Sequence, residues 1–174
     1  MKPIENYENV QASNDTGAKP IAGGYVLVIT KAEDKPDREY VYVEFDFAEG
    51  EYAGYCSETY SRFARWPALG KSYRSYKPAA VGMFKAFTEA VEASNKKYKW
   101  DWNESKLVGK VFGGVLGEEE FLDQNGDVKV TLKLAKCLPA EKIRAGEFTV
   151  PKRKEVKKPE PDAFTDITPD DCPF

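Results

Sequence analysis

The chain has 174 residues, 41% of them hydrophobic, 32% charged and 13% aromatic, with 26 basic and 29 acidic side chains and no histidine. This supports one hydrophobic core with chain to spare, and a net charge of -3 argues against a strongly basic duplex-binding protein. The absence of histidine excludes Ser-His and Cys-His catalysis and the His-bearing zinc sites.

Cys56, Cys137 and Cys172 lie too far apart for a paired metal or disulfide framework and read as reduced thiols of a cytoplasmic protein. No apolar run approaches the roughly 18 residues of a membrane span. No apolar stretch follows Lys2, so no secretory signal is expected.

In chain order, residues 1–20, rich in Asn, Glu and Gly, are expected to be flexible. Tyr25 to Thr30 is apolar on both faces and predicts a buried strand. A polar loop follows from Lys31 to Arg38. Tyr40 to Phe47 alternates: Val41, Val43, Phe45 and Phe47 face the core, while Tyr40, Tyr42, Glu44 and Asp46 face away. Glu49-Gly50-Glu51 turns the chain into a third strand, Tyr52 to Ser61. From Arg62 to Lys77 neither period holds, which reads as loop.

Pro78 to Ser94 has helical spacing, with Ala80, Phe84, Phe87 and Val91 on one face and Asn95 as a stop. Two strands follow, Lys110 to Phe121 and Val128 to Cys137, joined by a turn at Asn125-Gly126. In the last, Val128, Val130, Leu132 and Leu134 are expected to face inward. Gly113-Gly114 reads as a bulge or a close approach.

This β-β-β-α-β-β order predicts an all-β domain with one helix over residues 21–150, a five-stranded OB barrel. An SH3-like barrel or a small α+β sandwich has a compatible order. The end of the chain changes character. Residues 151–158 carry five basic side chains and one acidic, and residues 159–174 carry five acidic and none basic. Rich in Pro and charge and lacking periodicity, residues 151–174 are expected to form a disordered basic linker and acidic tail.

The 30 positions between Glu58 and Glu89 hold no acidic residue. They interleave Arg62, Arg65, Lys71, Arg74 and Lys77 with Tyr60, Phe63, Trp66, Tyr73 and Tyr76. Single-stranded nucleic acid presents phosphates for such cations and base faces for such rings, with stacking worth about 1–3 kcal/mol per base. Tyr40 and Tyr42, on the polar face of the second strand, extend the same candidate surface. The bland alternative is that these rings fold a long loop onto the barrel while the cations are solvated. No metal-ligand or cofactor motif is present, so neither is expected.

The chain ends Thr168-Pro-Asp-Asp-Cys-Pro-Phe174. A terminal Phe beside a carboxylate, Asp170 and Asp171, stiffened by Pro173, suits an apolar slot ringed by basic groups on a partner. This tip resembles that of bacterial single-stranded-DNA-binding proteins, Asp-Asp-Asp-Ile-Pro-Phe. It departs by having Pro169 before only two aspartates and Cys172 in place of the isoleucine. The body resembles a family of single-stranded-DNA-binding proteins from phages and prophages of Gram-positive bacteria. The matching stretches are Gly24-Tyr25-Val26, Thr30 to Lys35, Val43-Glu44-Phe45-Asp46 with Glu49-Gly50, Trp100-Asp101-Trp102, and Leu107 to Lys110. The resemblance implies an OB fold, non-sequence-specific single-stranded DNA binding, and a tail recruiting replication and recombination enzymes. It assigns no groove residues.

Two other functions are compatible with the residues. One is an adaptor that binds only proteins through the tail. The other is a carboxylate-metal nuclease built on Glu118-Glu119-Glu120, Asp123 and Asp127. No nucleophile-base pair or phosphate-cradling glycine loop supports an enzyme. The sequence leaves homo-oligomerisation open.

Overall fold

A computed structural model describes residues 18–157. The expected flexible start (residues 1–17) and the acidic tail with its tip (residues 158–174) lie outside them. Five strands form one open antiparallel sheet: β1 (Gly23–Lys35), β2 (Tyr40–Phe47), β3 (Lys71–Ser75), β4 (Val111–Leu122) and β5 (Val128–Leu138), in the order β3-β2-β1-β4-β5. The helices described are α1 (Tyr55–Phe63), α2 (Val81–Ser94) and α3 (Ala140–Arg144), so the domain carries more helix than the single one expected. No ladder joins the edge strands β3 and β5 among the described residues, so the sheet is not the closed barrel expected from element order.

The third strand is also not where its residues suggested. Tyr52 to Ser61, rich in aromatic and β-favouring residues, forms a turn and α1 instead. The cause is long-range. The N-cap of α1 is Gly54, which has no side chain to hold the first free amides. Asp46 does this from β2: its carboxylate accepts from the Cys56 N–H at 2.8 Å, the Ser57 N–H at 2.9 Å and the Ser57 hydroxyl at 2.6 Å. These are the second and third helical residues, the amides a capping side chain serves. Asp46, expected to face solvent, is therefore only 3% exposed.

β1 is longer than expected because of a bulge. Its register slips between Ile29 and Lys31, leaving Thr30 as the extra residue. Leu27 and Ile29 point inward before the bulge, and Ala32 packs on the core after it. The stretch read as a polar loop, Lys31 to Lys35, is thus strand with its inward and outward positions exchanged.

Val41, Val43, Phe45 and Phe47 of β2 are buried as expected, with Phe84, Phe87 and Val91 of α2 packed against them and Phe112. The Phe87 ring meets Phe112 edge-on, with centroids 5.4 Å apart. Asn95 ends α2 and pins it to β4: its side-chain amide donates to the Val91 and Val111 carbonyls at 2.7 Å, and its Oδ1 accepts from the Val111 N–H. Gly113 is a close approach, since a Cβ there would lie 2.5 Å from Ile143 Cγ1 and 2.7 Å from the Leu138 carbonyl oxygen. At the far end of the β4–β5 hairpin the expectation fails: Val128 and Val130 are exposed, together with Phe121 and Leu122.

The basic linker also departs from the disorder expected from residue 151 onward. Beyond Leu116, β4 no longer pairs with β1, which leaves one edge open. Residues 153–155 lie parallel along it. Lys154 accepts from the Glu120 N–H at 2.9 Å and donates to the Glu118 carbonyl at 3.0 Å. Arg153 pairs with Glu118 at 2.7 Å, and Lys154 lies 4.0 Å from Glu119. Among the described residues, no helix is long and apolar enough to cross a membrane.

Candidate nucleic-acid interface

The solvent face of β1, β2 and β3 gathers aromatic and basic side chains. Tyr42 stands opposite Tyr73 in the β2–β3 ladder, and Tyr40 stands opposite Ser75. Directly opposed residues of an antiparallel pair share a face. The Tyr73 ring centroid is 5.3 Å from that of Tyr40 and 5.4 Å from that of Tyr42. Tyr73 is 62% exposed, so the trio offers an open ring face. Lys71 lies opposite Glu44 on this face, while Glu33 and Lys35 of β1 lie opposite Tyr42 and Tyr40. The Lys31 ammonium sits 5.7 Å from the Tyr42 ring centroid.

Two carboxylates stand among these groups. Glu33 pairs with Lys35 and, at 3.5 Å, with Lys31. The hydrogen bond from Lys35, more than any other influence, holds the Glu33 carboxyl below its ordinary range. Glu44 accepts from the Tyr42 hydroxyl at 2.7 Å. Partial burial, then that hydrogen bond, push the Tyr42 phenol well above its ordinary value, so it remains a neutral donor. Arg38, in the turn Pro36–Arg38 that follows Lys35, adds an exposed cation beside this face.

The sequence-predicted site residues divide into separate places. Tyr40, Tyr42, Lys71 and Tyr73 come together on the sheet face. Tyr60, Arg62 and Phe63 belong to α1, beyond the Phe47 end of β2. Tyr60 packs on Trp66 with ring centroids 6.1 Å apart and makes no ring contact with Tyr40, Tyr42 or Tyr73 among the described residues. Phe63 is 73% exposed, and Arg62 pairs with Glu58 at 2.6 Å. Arg65 is exposed on the following turn.

Trp66 folds inward against the core, and its indole N–H donates to the Gly70 carbonyl at 3.1 Å. Arg74 is 7% exposed, donates to the Ser72 hydroxyl at 2.7 Å and lies over the Phe87 ring. Neither Trp66 nor Arg74 belongs to the open ring face. Tyr76 packs edge-on against Phe84 and donates to Asp34 at 2.9 Å; Lys77 beside it is exposed. The partner-binding residues Asp170, Asp171, Pro173 and Phe174 lie outside the described residues.

Sequence reasoning missed Lys31 and Lys35. Their alternation with Ala32 and Asp34 was a signal, hidden because the bulge at Thr30 breaks the period of two. The acidic run read as a possible cation site is instead engaged by cations: Glu118 by Arg153, Glu119 by Lys133 and Lys154. Asp123 Oδ1 accepts from the Asn125 and Asp127 amides and so shapes the hairpin turn. Among the described residues, no three Cys, Asp or Glu side chains converge as a metal site. No protein-family model matches the chain, and no curated protein matches it.

Proposed function

We propose that the chain binds single-stranded DNA on the solvent face of β1–β2–β3, without reading its sequence along that face, as a coat for exposed strands in phage replication or recombination. The observation that carries this is the Tyr40–Tyr73–Tyr42 ring cluster flanked by Lys31, Lys35 and Lys71. Rings accept base faces, and ammonium groups neutralise phosphates. Duplex DNA hides its base faces, so such a surface favours the single strand.

The finer fold reading supports this. β3 and β5 bracket the sheet and are tied by the Arg74 side chain, and α2 falls between β3 and β4, as in an OB barrel opened at one seam. In this reading the acidic tip, Asp170 to Phe174, recruits replication and recombination proteins within the host cell.

Fluorescence anisotropy of labelled oligo-dT tests the proposal. With about four phosphates neutralised, log affinity should fall against log salt with a slope of about -3. Deleting residues 159–174 should leave DNA affinity equal or higher while abolishing capture of partner enzymes. Absence of binding to any single strand at low salt would overturn the reading.

A further inference from the structure

On the core side of the sheet, at the Tyr40 end of β2, lies a cleft of about 360 Å³ walled by the rings of Tyr76, Phe84, Trp100 and Trp102 and by Asp34 and Glu104. Register fixes its side. Asp34 stands opposite Val41, which is buried, and directly opposed residues of an antiparallel pair share a face. The cleft therefore belongs to the other side of the sheet from the Tyr40–Tyr73–Tyr42 face.

Successive ring centroids lie 5.9 Å (Tyr76–Phe84), 5.9 Å (Phe84–Trp100) and 6.1 Å (Trp100–Trp102) apart, with interplanar angles of 79°, 71° and 55°. Rings that meet at such angles wall a cage and do not form one flat stacking platform. Trp102 is 82% exposed and is held at φ 64°, a left-handed backbone conformation uncommon for a bulky residue. Its turn is fixed on both sides, by an Asp101–Lys106 ion pair and by the Asn103 side chain, which accepts from the Ser105 N–H at 3.1 Å. Tryptophan is enriched among the residues that dominate protein interfaces, and a fixed backbone lowers the ordering cost of binding.

Two acids and no base line the cleft. Asp34 accepts from the Tyr76 hydroxyl at 2.9 Å, and neither Asp34 nor Glu104 has a cation within ion-pair distance among the described residues. Other acids of the same segments, Glu33 and Asp101, are each paired with a lysine. Ring faces attract a cation within about 6 Å of the centroid. Rings and carboxylates together ask for positive charge on an apolar stem. A phosphate would be repelled, and an aliphatic group would leave the carboxylates unmatched. Arginine suits the cage better than lysine, because its planar guanidinium both stacks on aromatic rings and forks to a carboxylate. Val81, half exposed on the wall, offers apolar surface to the residue beside it.

We propose that this cleft is a docking site for a partner protein, and that its occupant is an arginine side chain on an exposed segment of that partner. The inference goes beyond the single-stranded DNA reading and does not rest on it. With the two sites on opposite sides of the sheet, the domain can hold a strand and a basic partner at once.

The test titrates the full chain with a short labelled peptide, acetyl-Gly-Leu-Arg-Leu-Gly-amide, and with versions carrying lysine or citrulline in place of the arginine. Citrulline keeps the shape and removes the charge. Anisotropy and tryptophan emission are followed. The arginine peptide should bind about tenfold tighter than the citrulline peptide, with lysine between them, and should change tryptophan emission. Trp102→Ala, at an exposed position, should weaken arginine-peptide binding about tenfold. The pair Asp34→Asn and Glu104→Gln should bring the arginine/citrulline ratio within about twofold, with thermal unfolding verifying the fold. Equal affinity for arginine and citrulline, or no arginine-peptide binding up to millimolar concentration, would overturn the proposal. So would arginine-peptide binding that survives both variants, which would place the peptide elsewhere. Tryptophan quenching by oligo-dT that Trp102→Ala abolishes would assign the cleft to nucleic acid and would overturn it too.

Discussion

Arg74 of β3 donates from its guanidinium to the carbonyl of Leu134 of β5 at 3.3 Å, which ties the two edge strands across the open side of the sheet. The same group donates to the Ser72 hydroxyl and lies over Phe87. Hydrogen bonds to charged groups contribute about 1.5–3 kcal/mol each, and their loss leaves buried acceptors unpaired. Arg74→Ala should therefore cost about 2–3 kcal/mol in urea unfolding. It should leave the salt slope of DNA binding unchanged, because this cation faces the core. A lower slope with unchanged stability would reassign it to the phosphate path.

Tyr73 and Trp66 should separate binding from folding. Tyr73→Ala removes the central ring of the exposed trio and should weaken oligo-dT binding roughly tenfold, with Tyr73→Phe close to the parent, since stacking needs the ring and not the hydroxyl. Trp66→Ala should lower the unfolding free energy by about 3 kcal/mol, because its ring fills the core beside Gly70 and Cys56. Anisotropy and urea titration on both variants check this pairing.

Glu33 competes with phosphate for Lys31 and Lys35. Glu33→Gln frees both ammonium groups and removes a negative charge from the strand path. Binding to oligo-dT should tighten about three- to tenfold and its salt dependence should steepen, because exposed pairs are screened and easily exchanged. Weaker binding would place the strand elsewhere.

The basic strap should be visible in amide exchange. Protection of the Glu120 and Lys154 amides reports its seat on β4, and Arg153→Glu with Lys154→Glu should abolish that protection without unfolding the sheet. Acid should also loosen the hairpin on which the arm sits. Hydrogen bonding from Lys133, the leading cause, holds the Glu119 carboxyl below its ordinary 4.5. A depressed carboxyl contributes stability that is complete above its unfolded value and is lost as pH falls through its folded one. Protection across the β4–β5 hairpin should then hold from pH 8 to about 5 and decline below about 4.5, with no step near 6.5 in a chain without histidine.

Local pattern was enough to place several features. The period of two located the buried face of β2, the helical spacing located α2, and Asn125-Gly126 located the hairpin turn, where Gly126 adopts φ 80°. Tyr40 and Tyr42 were legible as outward-facing rings because alternation puts an aromatic where a polar side chain is ordinary.

What only the tertiary structure decided depends on residues far apart in sequence. Asp46 caps α1 from another element, so a β-like segment became a helix. The bulge at Thr30 exchanged the faces of β1 and brought Lys31 beside Tyr42 and Lys35 opposite Tyr40. Burial turned Arg74 and Trp66, which look in sequence like their exposed neighbours, into structural groups. Composition and periodicity determined that this chain builds an aromatic, antiparallel sheet. Which rings and cations meet was settled by long-range hydrogen bonds and register, which local spacing does not encode.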